Sequence, residues 1–518
     1  MARGFSAFAA RALATLALSA AVHCVVRAAD AAAPNPLDFS AAFICTADPD
    51  AATTVPGWTI LAGSPALRCG GALHARWPQR CAARVLVGNG PYGPSTLERV
   101  IPLAPGTAAD RRLALSGLFA AFGRGFGRPS LTARFLDGSG QPVGPAMVLR
   151  GAPAAAGSQP LRFTPVRLEG PIPQQAIELV LHLRLTGELR TAGSYVAAMR
   201  LRVTPSVPFA PPAPPPATVP RFAHVVLVMM ENTDFDQLIG DERDAPFMNS
   251  LAARGTLLAD YQAVYHPSDQ NYLAIAGGDT FVRQGVYFPH IRLGARNLGD
   301  LLEAKGESWK AYLQGMGTPC NTGTRFDRYF EPDDAPFINF TDIRGDAARC
   351  RAHLLDLSQW RRDLAHADST PAFAWLAADD YDDGEIPGNG SPRSLRVQDR
   401  WLRRTLEPLF ASAAWRRQRT LLILTWDESS TIMNNHIATI LVGSRHSVRT
   451  GYVSHRRYDH YSTARTIEAA LGLPAMTSND AYASPFNDAF ARTGSRPTSA
   501  AAAARRSAGR SSERQASR

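Results

Sequence analysis

The sequence has 518 residues, six cysteines and a formal net charge of +10. At about 150 residues for each domain, this length predicts two or three domains. The charge lies mostly at the two ends: the first 29 residues carry three arginines, and the segment from Ser495 carries six arginines and one glutamate. The remaining chain carries only +2 and has no basic stripe with interleaved aromatic side chains, which argues against a nucleic-acid-binding protein.

The first 29 residues have the pattern of a signal peptide. Arg3 and Arg11 precede an apolar run over 12–26, and the following Arg-Ala-Ala over 27–29 offers small residues for cleavage. The run is too short to span a membrane, and no later stretch is long and apolar enough. We therefore expect an exported protein, periplasmic or extracellular, in a compartment that permits disulfides.

Five cysteines remain after removal of the signal peptide. Cys320 and Cys350 flank one loop-rich segment, and we predict a disulfide between them. Among Cys45, Cys69 and Cys81 one cysteine is left over. No CxxC pair occurs, which argues against a zinc ribbon.

Residues 36–205 predict an all-β domain. Strand-like runs over 84–87, 131–136 and 177–183 are separated by turns rich in glycine, proline and Asp-Gly. This spacing is typical of an antiparallel β-sandwich.

Three short patterns in this domain resemble galactose-binding-like modules: Pro-Gly-Trp at Trp58, the run over 97–103, and Gly-Ser-Tyr over 193–195. The resemblance implies either a spacer domain or a module that contacts glycans. A proline-rich linker follows over 206–220 and marks a domain boundary. The tail over 495–518 is composed mainly of Ala, Ser and Arg, and we predict that it is disordered.

Residues 221–485 predict an α/β domain with a mostly parallel sheet flanked by helices. Continuous apolar runs over 223–230, 419–426 and 437–443 are typical of strands that are buried on both faces of such a sheet. Helical patterns lie between the strands, as over 297–305 and 394–410. Ligands of such sheets bind at the carboxyl ends of the strands.

Polar residues stand at these carboxyl ends. Glu231 and Asn232 end the first strand, and Asp427 and Glu428 end the second. Carboxylates that converge on one sheet edge repel one another unless a cation lies among them. We therefore predict a divalent-metal site at this edge.

Ser268 follows a third strand-like segment, over 259–265, and stands where an apolar helix begins. Pro267 ends the extended chain, and Ser268 is suited to cap the helix. The unpaired N–H groups of a helix N-terminus bind phosphate. These features indicate a phosphoester-cleaving enzyme in which Ser268 is the nucleophile.

The polar positions belong to five motifs that resemble the bacterial phosphoesterase family, which contains acid phosphatases and phospholipases C within the alkaline phosphatase superfamily. The motifs follow in the family's order: 224–232 (HVVLVMMEN), 266–279 (HPSDQNYLAIAGGD), 421–429 (LLILTWDES), 434–443 (NNHIATILVG) and 458–474 (YDHYSTARTIEAALGLP). The resemblance runs over roughly 222–475. It implies an alkaline-phosphatase-like α/β fold and hydrolysis of phosphoric esters.

The resemblance also implies roles for individual residues. The implied metal ligands are Glu231, Asn232, Ser268, Asp427, Glu428 and Asp383. Residues implied to bind phosphate oxygens or assist the leaving group are His266, Asn271, His436 and His460. The metal would be Mg, Ca, Mn, Zn or Fe, since the oxygen-rich ligand set suits hard cations while relatives also use zinc or iron.

Three positions depart from the family's pattern. Glu428 stands where the acid phosphatases often carry a second aspartate, and Gln270 stands where proline is usual. The family often has Asp-x-His in the middle of the domain, whereas this chain has Asp383 followed by Glu385. If a histidine is needed at this position, we expect activity to be altered or lost.

We interpret the sequence as that of an exported metal-dependent acid phosphatase acting on a small phosphorylated substrate through a phosphoserine intermediate. One alternative is a phosphodiesterase of the phospholipase C type. Another, of a different class, is an exported glycan-binding protein whose α/β domain is inactive.

Overall fold

The computed structural model describes residue 37 and residues 52–68, 85–88, 94–103, 111–122, 128–152, 163–188, 192–204, 212–282, 285–323, 330–431 and 435–491. The predictions for the signal peptide over 1–29, for Cys45, Cys69 and Cys81, and for the tail over 495–518 lie outside these residues.

The N-terminal part contains eleven described strands in two antiparallel sheets. The strands are β1 (Thr59–Ala62), β2 (Ala66–Arg68), β3 (Val85–Val87), β4 (Ser95–Pro102), β5 (Arg112–Phe122), β6 (Ser130–Leu136), β7 (Met147–Arg150), β8 (Thr164–Pro171), β9 (Glu178–Leu185), β10 (Gly187–Glu188) and β11 (Ala192–Thr204). One sheet has the order β1-β4-β9-β6-β7, and the other has β2-β3-β11-β5-β8 with β10 beside β11. Leu97 and Leu183 of the first sheet share one buried core with Leu115 and Val196 of the second, as expected for a sandwich.

The C-terminal part alternates strands and helices. The strands are β12 (His224–Met230), β13 (Thr256–Gln262), β14 (Trp309–Leu313), β15 (Leu354–Asp356), β16 (Phe373–Ala377), β17 (Thr420–Trp426), β18 (His436–Gly443) and β19 (Tyr452–Asp459). The helices are α1 (Phe235–Leu238), α2 (Pro246–Arg254), α3 (Asp269–Gly277), α4 (Leu298–Lys305), α5 (Thr341–Arg344), α6 (Ala347–His353), α7 (Ser358–Asp363), α8 (Pro392–Ala411), α9 (Ala413–Arg417), α10 (His460–Leu471) and α11 (Ser478–Tyr482). The predicted α/β domain is confirmed.

The eight strands form one mixed sheet in the order β15-β14-β16-β12-β17-β18-β13-β19. Strand β18 is antiparallel to both neighbours, and every other pairing in this sheet is parallel. The antiparallel strand β18 therefore leaves β12, β13, β16 and β17 pointing in one direction. Their carboxyl ends meet at one edge, where a ligand site is expected.

Strand β13 ends at Gln262, three residues before the predicted end of this strand at Tyr265. The difference has a local cause, because the Asn271 side chain accepts the N–H groups of Val264 and Tyr265 at 3.1 and 3.0 Å. The Asn271 side chain here takes the place of a neighbouring strand as the hydrogen-bond acceptor, and β13 therefore ends early.

The predicted disulfide between Cys320 and Cys350 is confirmed, with the Cα atoms 5.4 Å apart.

In the described part of the linker, Pro212 accepts a hydrogen bond from the Tyr482 hydroxyl at 3.1 Å, and Pro216 accepts one from Asn487 at 2.7 Å. The linker thus lies along the α/β domain. Among the described residues, no helix has both the length and the apolar character needed to cross a membrane.

Glu468 on α10 makes the stability of this fold dependent on pH. Its side chain is fully buried, with Oε2 3.3 Å from Arg465 and Oε1 accepting the Met476 N–H at 3.2 Å. Burial, followed by the charge of Asp480, raises the Glu468 pKa well above its ordinary value. The folded protein therefore keeps a proton that the unfolded chain releases. The contribution of this bound proton to the free energy of unfolding is complete below the ordinary pKa of glutamate. It is lost as the pH rises toward the pKa of Glu468 in the folded protein.

We expect Glu468→Gln to gain stability relative to the wild type as the pH rises from 4 to 8. The gain in the free energy of unfolding should be at most about 1.4 kcal/mol for each pH unit. Denaturant unfolding at several pH values measures it, with Glu407→Gln, at an exposed position of α8, as the matched control for the change of residue type. A Glu468→Gln difference that is constant with pH would contradict this assignment.

Candidate active site

The carboxyl ends of β12 and β17 place three acids side by side. Glu231, Asp427 and Glu428 are each at most 3% exposed. Strands β12 and β17 run in register from His224 to Met230, and the Asp427 N–H continues the ladder to the Met230 carbonyl at 2.9 Å. The parallel register therefore brings the two predicted acidic pairs together.

Asn232 turns the chain away from the sheet at this point. Its φ of +45° lies in the left-handed region, which asparagine tolerates better than most residues. Its backbone N–H donates to Asp427 Oδ1 at 2.9 Å, and its side-chain amide donates to Glu231 Oε2. Asn232 thus links the two acids. Its predicted role as a metal ligand stays a prediction.

Ser268 lies beside these acids. The helix α3 begins immediately after it, as predicted, but the Ser268 side chain makes no capping hydrogen bond. The hydroxyl instead donates to Glu231 Oε2 at 3.2 Å. Tyr272, one turn further along α3, donates to the other oxygen of Glu231 at 2.6 Å. The serine is therefore directed at the acidic cluster rather than at its own helix.

Asn271 holds the segment that carries Ser268. Its amide oxygen accepts the two N–H groups after β13, and its amide nitrogen donates to the Tyr265 carbonyl at 3.0 Å. The same nitrogen lies 3.4 Å from Glu428 Oε2. Sequence reasoning gave Asn271 a role at phosphate, whereas its described hydrogen bonds go to the protein.

The three predicted histidines have different surroundings. His266 Nδ1 lies 3.2 Å from Glu428 Oε1, and its Nε2 is buried without a hydrogen-bond partner. Burial lowers the His266 pKa below its ordinary value, so the ring is neutral at neutral pH and can accept a proton. His266 therefore belongs to the cluster.

His460 and His436 lie outside the described lining of the cavity next to Ser268. His460 is fully buried at the start of α10, with Nε2 3.0 Å from the Trp426 carbonyl, and burial lowers its pKa to about 4. It is thus a neutral support for the strand end before Asp427. His436 Nε2 lies 2.8 Å from the Ala259 carbonyl, and its ring stacks on Phe235.

A second acidic cluster adjoins the first. One carboxylate oxygen from each of Asp334, Asp380 and Asp383 lies within 4.8 Å of the others. The Asp383 carbonyl accepts the Glu231 N–H at 3.4 Å, which connects the clusters. Asp383 was predicted to be a metal ligand, but sequence reasoning missed Asp334 and Asp380. The dense acid runs over 331–334 and 379–383 are the signal that could have found them.

A cavity of about 430 Å³ opens on both clusters. Its acidic wall includes Glu231, Asp334, Asp380 and Glu385, and Ser268 lies at its surface. Another part of the lining, the aromatic wall, consists of Tyr287, Phe288 and Phe330 together with Pro267 and Pro332. The cavity can therefore hold a phosphoryl group against Ser268 and an organic group against the aromatic wall.

The cluster has the properties of a cation site. Burial raises the pKa values of Glu231 and Glu428 well above their ordinary range, and raises that of Asp427 to about 6. The second oxygen of Asp427 is buried and has no hydrogen-bond partner. Buried carboxylates are normally paired or bound to a metal. Glu231, Asp427, Glu428 and Ser268 thus fit a hard divalent cation, which prefers oxygen ligands.

The family model that matches this chain is that of the phosphoesterase family, over residues 241–474. A probable acid phosphatase of Kluyveromyces lactis is 29% identical over 269 residues, which are 50% of this chain and 60% of that protein. The phosphate-repressible acid phosphatase of Penicillium chrysogenum is 29% identical over 262 residues, which are 49% of this chain and 60% of that protein. The chain thus spans about 60% of the length of these two relatives.

A bacterial relative is covered over more of its length. The phosphatidylinositol-3-phosphatase of Mycobacterium tuberculosis is 30% identical over 279 residues, which are 52% of this chain and 84% of that protein. A solved structure, of a protein in the alkaline phosphatase superfamily from Vibrio parahaemolyticus, overlaps 53% of this chain and 72% of its own at 13% identity. Its TM-score of 0.39 is too low to identify a fold. The family match and the coverage of the mycobacterial relative establish that this chain belongs to the phosphoesterase family.

Proposed function

We propose that this protein is an exported, metal-dependent phosphoric ester hydrolase that acts on phosphomonoesters as an acid phosphatase. The observation that carries the proposal is the hydrogen bond from Ser268 to Glu231, at the point where a buried carboxylate cluster opens into the cavity. The three curated relatives named above are all phosphatases. The disulfide between Cys320 and Cys350 supports an oxidising compartment.

Ser268 is the nucleophile in this proposal. Its oxygen attacks phosphorus, the bond from phosphorus to the ester oxygen breaks, and the leaving alcohol takes up a proton. Water then attacks the phosphoserine, releasing phosphate and restoring the hydroxyl. Glu231 Oε2, which accepts the Ser268 hydrogen bond, orients the hydroxyl, and the N–H groups at the start of α3 face the developing negative charge.

The residues that would hold the metal are Glu231, Asn232, Ser268, Asp427 and Glu428, together with Asp383 of the adjoining cluster. A divalent cation bound there would polarise the phosphoryl group and lower the pKa of the Ser268 hydroxyl. His266, whose Nδ1 lies 3.2 Å from Glu428 Oε1 and whose Nε2 has no hydrogen-bond partner, accepts or returns a proton during the two steps.

The experiment is a screen of the purified protein with Mg²⁺, Ca²⁺, Mn²⁺, Zn²⁺ or Fe²⁺ added separately. The substrates are p-nitrophenyl phosphate, bis-p-nitrophenyl phosphate and phosphatidylcholine. The proposal expects metal-dependent hydrolysis of the monoester above that of both diesters. Preferred cleavage of a diester would favour the phospholipase C alternative. A protein that binds none of these metals and cleaves no substrate would favour an inactive domain, and glycan binding by the β-sandwich would then be tested.

Glu385 offers a test of metal preference. Its side chain lines the cavity, and its N–H donates to Asp383 Oδ1 at 2.9 Å. Imidazole is a better ligand for zinc than carboxylate is. We therefore expect Glu385→His to bind Zn²⁺ roughly ten-fold more tightly than the wild type. Glu385→Gln, which removes the charge without adding a ring nitrogen, is the matched control. Calorimetric titration measures the Zn²⁺ affinity of both variants. Equal Zn²⁺ affinities would mean that residue 385 does not contact the metal.

A further inference from the structure

A buried segment of the N-terminal part contacts the chain that carries Ser268. We call residues 52–56 the strap, and residues 263–268 the nucleophile loop. The strap precedes β1, and all five of its residues are buried although it has no regular secondary structure. The strap is thus packed inside the protein, in addition to connecting to the first strand of the sandwich.

The strap completes the hydrogen bonding of the nucleophile loop. On one side of the loop, Asn271 accepts the Val264 N–H at 3.1 Å. On the other side, the Ala52 N–H donates to the Val264 carbonyl at 3.0 Å. Val264 is fully buried, so its carbonyl would lack a partner without the strap, and an unpaired buried carbonyl is unfavourable. The position of the loop therefore depends on the strap.

Two side chains of the α/β domain fix the strap in turn. The Tyr461 hydroxyl, on α10, donates to the Ala52 carbonyl at 3.1 Å. The Thr54 hydroxyl donates to the Asn479 carbonyl, on α11, at 2.9 Å. Ala52, Val264 and Tyr461 also belong to one buried apolar cluster with Ala274 of α3, the helix that follows Ser268. The contact thus includes both packing and hydrogen bonds.

We propose that the strap positions Ser268 for the reaction, and that Tyr461 is a positioning residue that acts through Ala52 and Val264. This inference rests on the proposed function, since it concerns the same serine. The β-sandwich is then part of the working hydrolase, because the segment that leads into its first strand completes the nucleophile loop.

The test compares Tyr461→Phe with Tyr482→Phe in the full-length, metal-loaded protein. Each change removes one tyrosine hydroxyl that donates at 3.1 Å to a backbone carbonyl of the N-terminal or linker segment. Only the Tyr461 hydroxyl is connected to the nucleophile loop. We expect Tyr461→Phe to lower kcat about ten-fold with little change in KM, because a misplaced nucleophile slows the chemical step. Tyr482→Phe should keep the wild-type kcat.

Amide hydrogen exchange supplies a readout that does not require activity. Exchange over residues 263–272 should be faster in Tyr461→Phe than in the wild type and unchanged in Tyr482→Phe. Thr54→Val, which keeps the side-chain shape and removes the bond to Asn479, should change kcat and exchange in the same direction as Tyr461→Phe.

Wild-type values of kcat and of exchange in both Tyr461→Phe and Thr54→Val would overturn the inference, as would equal effects in Tyr482→Phe. If the wild type hydrolyses no phosphoester under any metal, the proposed function fails, and the exchange comparison alone then decides the role of the strap.

Discussion

Ser268→Ala is expected to abolish phosphatase turnover. The alanine removes the serine hydroxyl that is hydrogen-bonded to Glu231 in the acidic cluster. A water molecule at the same position cannot form the covalent intermediate and does not have the fixed orientation of the serine. Loss of an enzyme's nucleophile commonly lowers kcat by roughly 10⁴-fold or more. The measurement is kcat for p-nitrophenyl phosphate with the activating metal at saturation.

Ser250→Ala is the matched control for this experiment. Ser250 lies on α2, and its hydroxyl donates to the Phe247 carbonyl of its own helix at 2.7 Å. The control should keep wild-type kcat, and both variants should unfold at wild-type temperatures. A phosphorylated Ser268 peptide, trapped at acidic pH and identified by mass spectrometry, would support the covalent step. Ser268→Ala with more than a tenth of the wild-type kcat would exclude Ser268 as the nucleophile.

Asp427→Asn is expected to have opposite effects on metal binding and on the stability of the metal-free protein. The change keeps the shape of the side chain and leaves an oxygen to accept the Asn232 N–H. It removes the negative charge of a carboxylate whose second oxygen has no hydrogen-bond partner in the protein. We expect metal affinity and kcat to fall about 100-fold or more, since even residues that only orient metal ligands contribute 10- to 100-fold.

The stability change follows from the pKa of Asp427. Burial raises this pKa from 3.8 to about 6, so the folded state binds a proton more tightly than the unfolded state does. The favourable contribution of this proton to the free energy of unfolding is complete below the ordinary pKa of aspartate and is lost above the pKa of Asp427 in the folded protein. At pH 7 the metal-free wild type therefore holds an unfavourable buried charge that Asp427→Asn lacks.

Thermal unfolding with a chelator and with saturating metal distinguishes these effects. Metal-free Asp427→Asn should unfold at a higher temperature than the metal-free wild type at pH 7. Added metal should reverse the order, because the wild type, which binds the metal more tightly, gains more binding free energy than the variant. Equal stabilisation of both proteins by metal would mean that Asp427 is not a ligand.

The sequence predicted the centre of the site because its residues stand at strand ends. Glu231 and Asp427 follow long apolar strands, and parallel neighbours must bring such ends to one edge. The position of Ser268 followed from the helix that begins after it. These inferences needed only local patterns and one rule of sheet geometry.

The rest depends on packing that local patterns do not encode. Asp334 reaches the cavity from a segment without a strand of its own, so no periodicity marked it. His436 stands in a recognised motif, yet its ring packs against Phe235 at the start of β18, the strand that is antiparallel to its neighbours in the α/β sheet. Asn271 was expected at phosphate because it lies in a family motif, and this stays a prediction. Its amide oxygen also accepts two N–H groups of the nucleophile loop, which the motif did not indicate.

The disulfide between Cys320 and Cys350 closes a ring that contains part of the acidic wall. Asp334 lies inside the ring that this bond closes, and the two cysteines are 30 residues apart in sequence. Closing a ring of this size restricts the unfolded chain by roughly 3 to 4 kcal/mol. A reduced chain lacks that restriction, so we expect reduction of this disulfide to destabilise the acidic wall of the cavity.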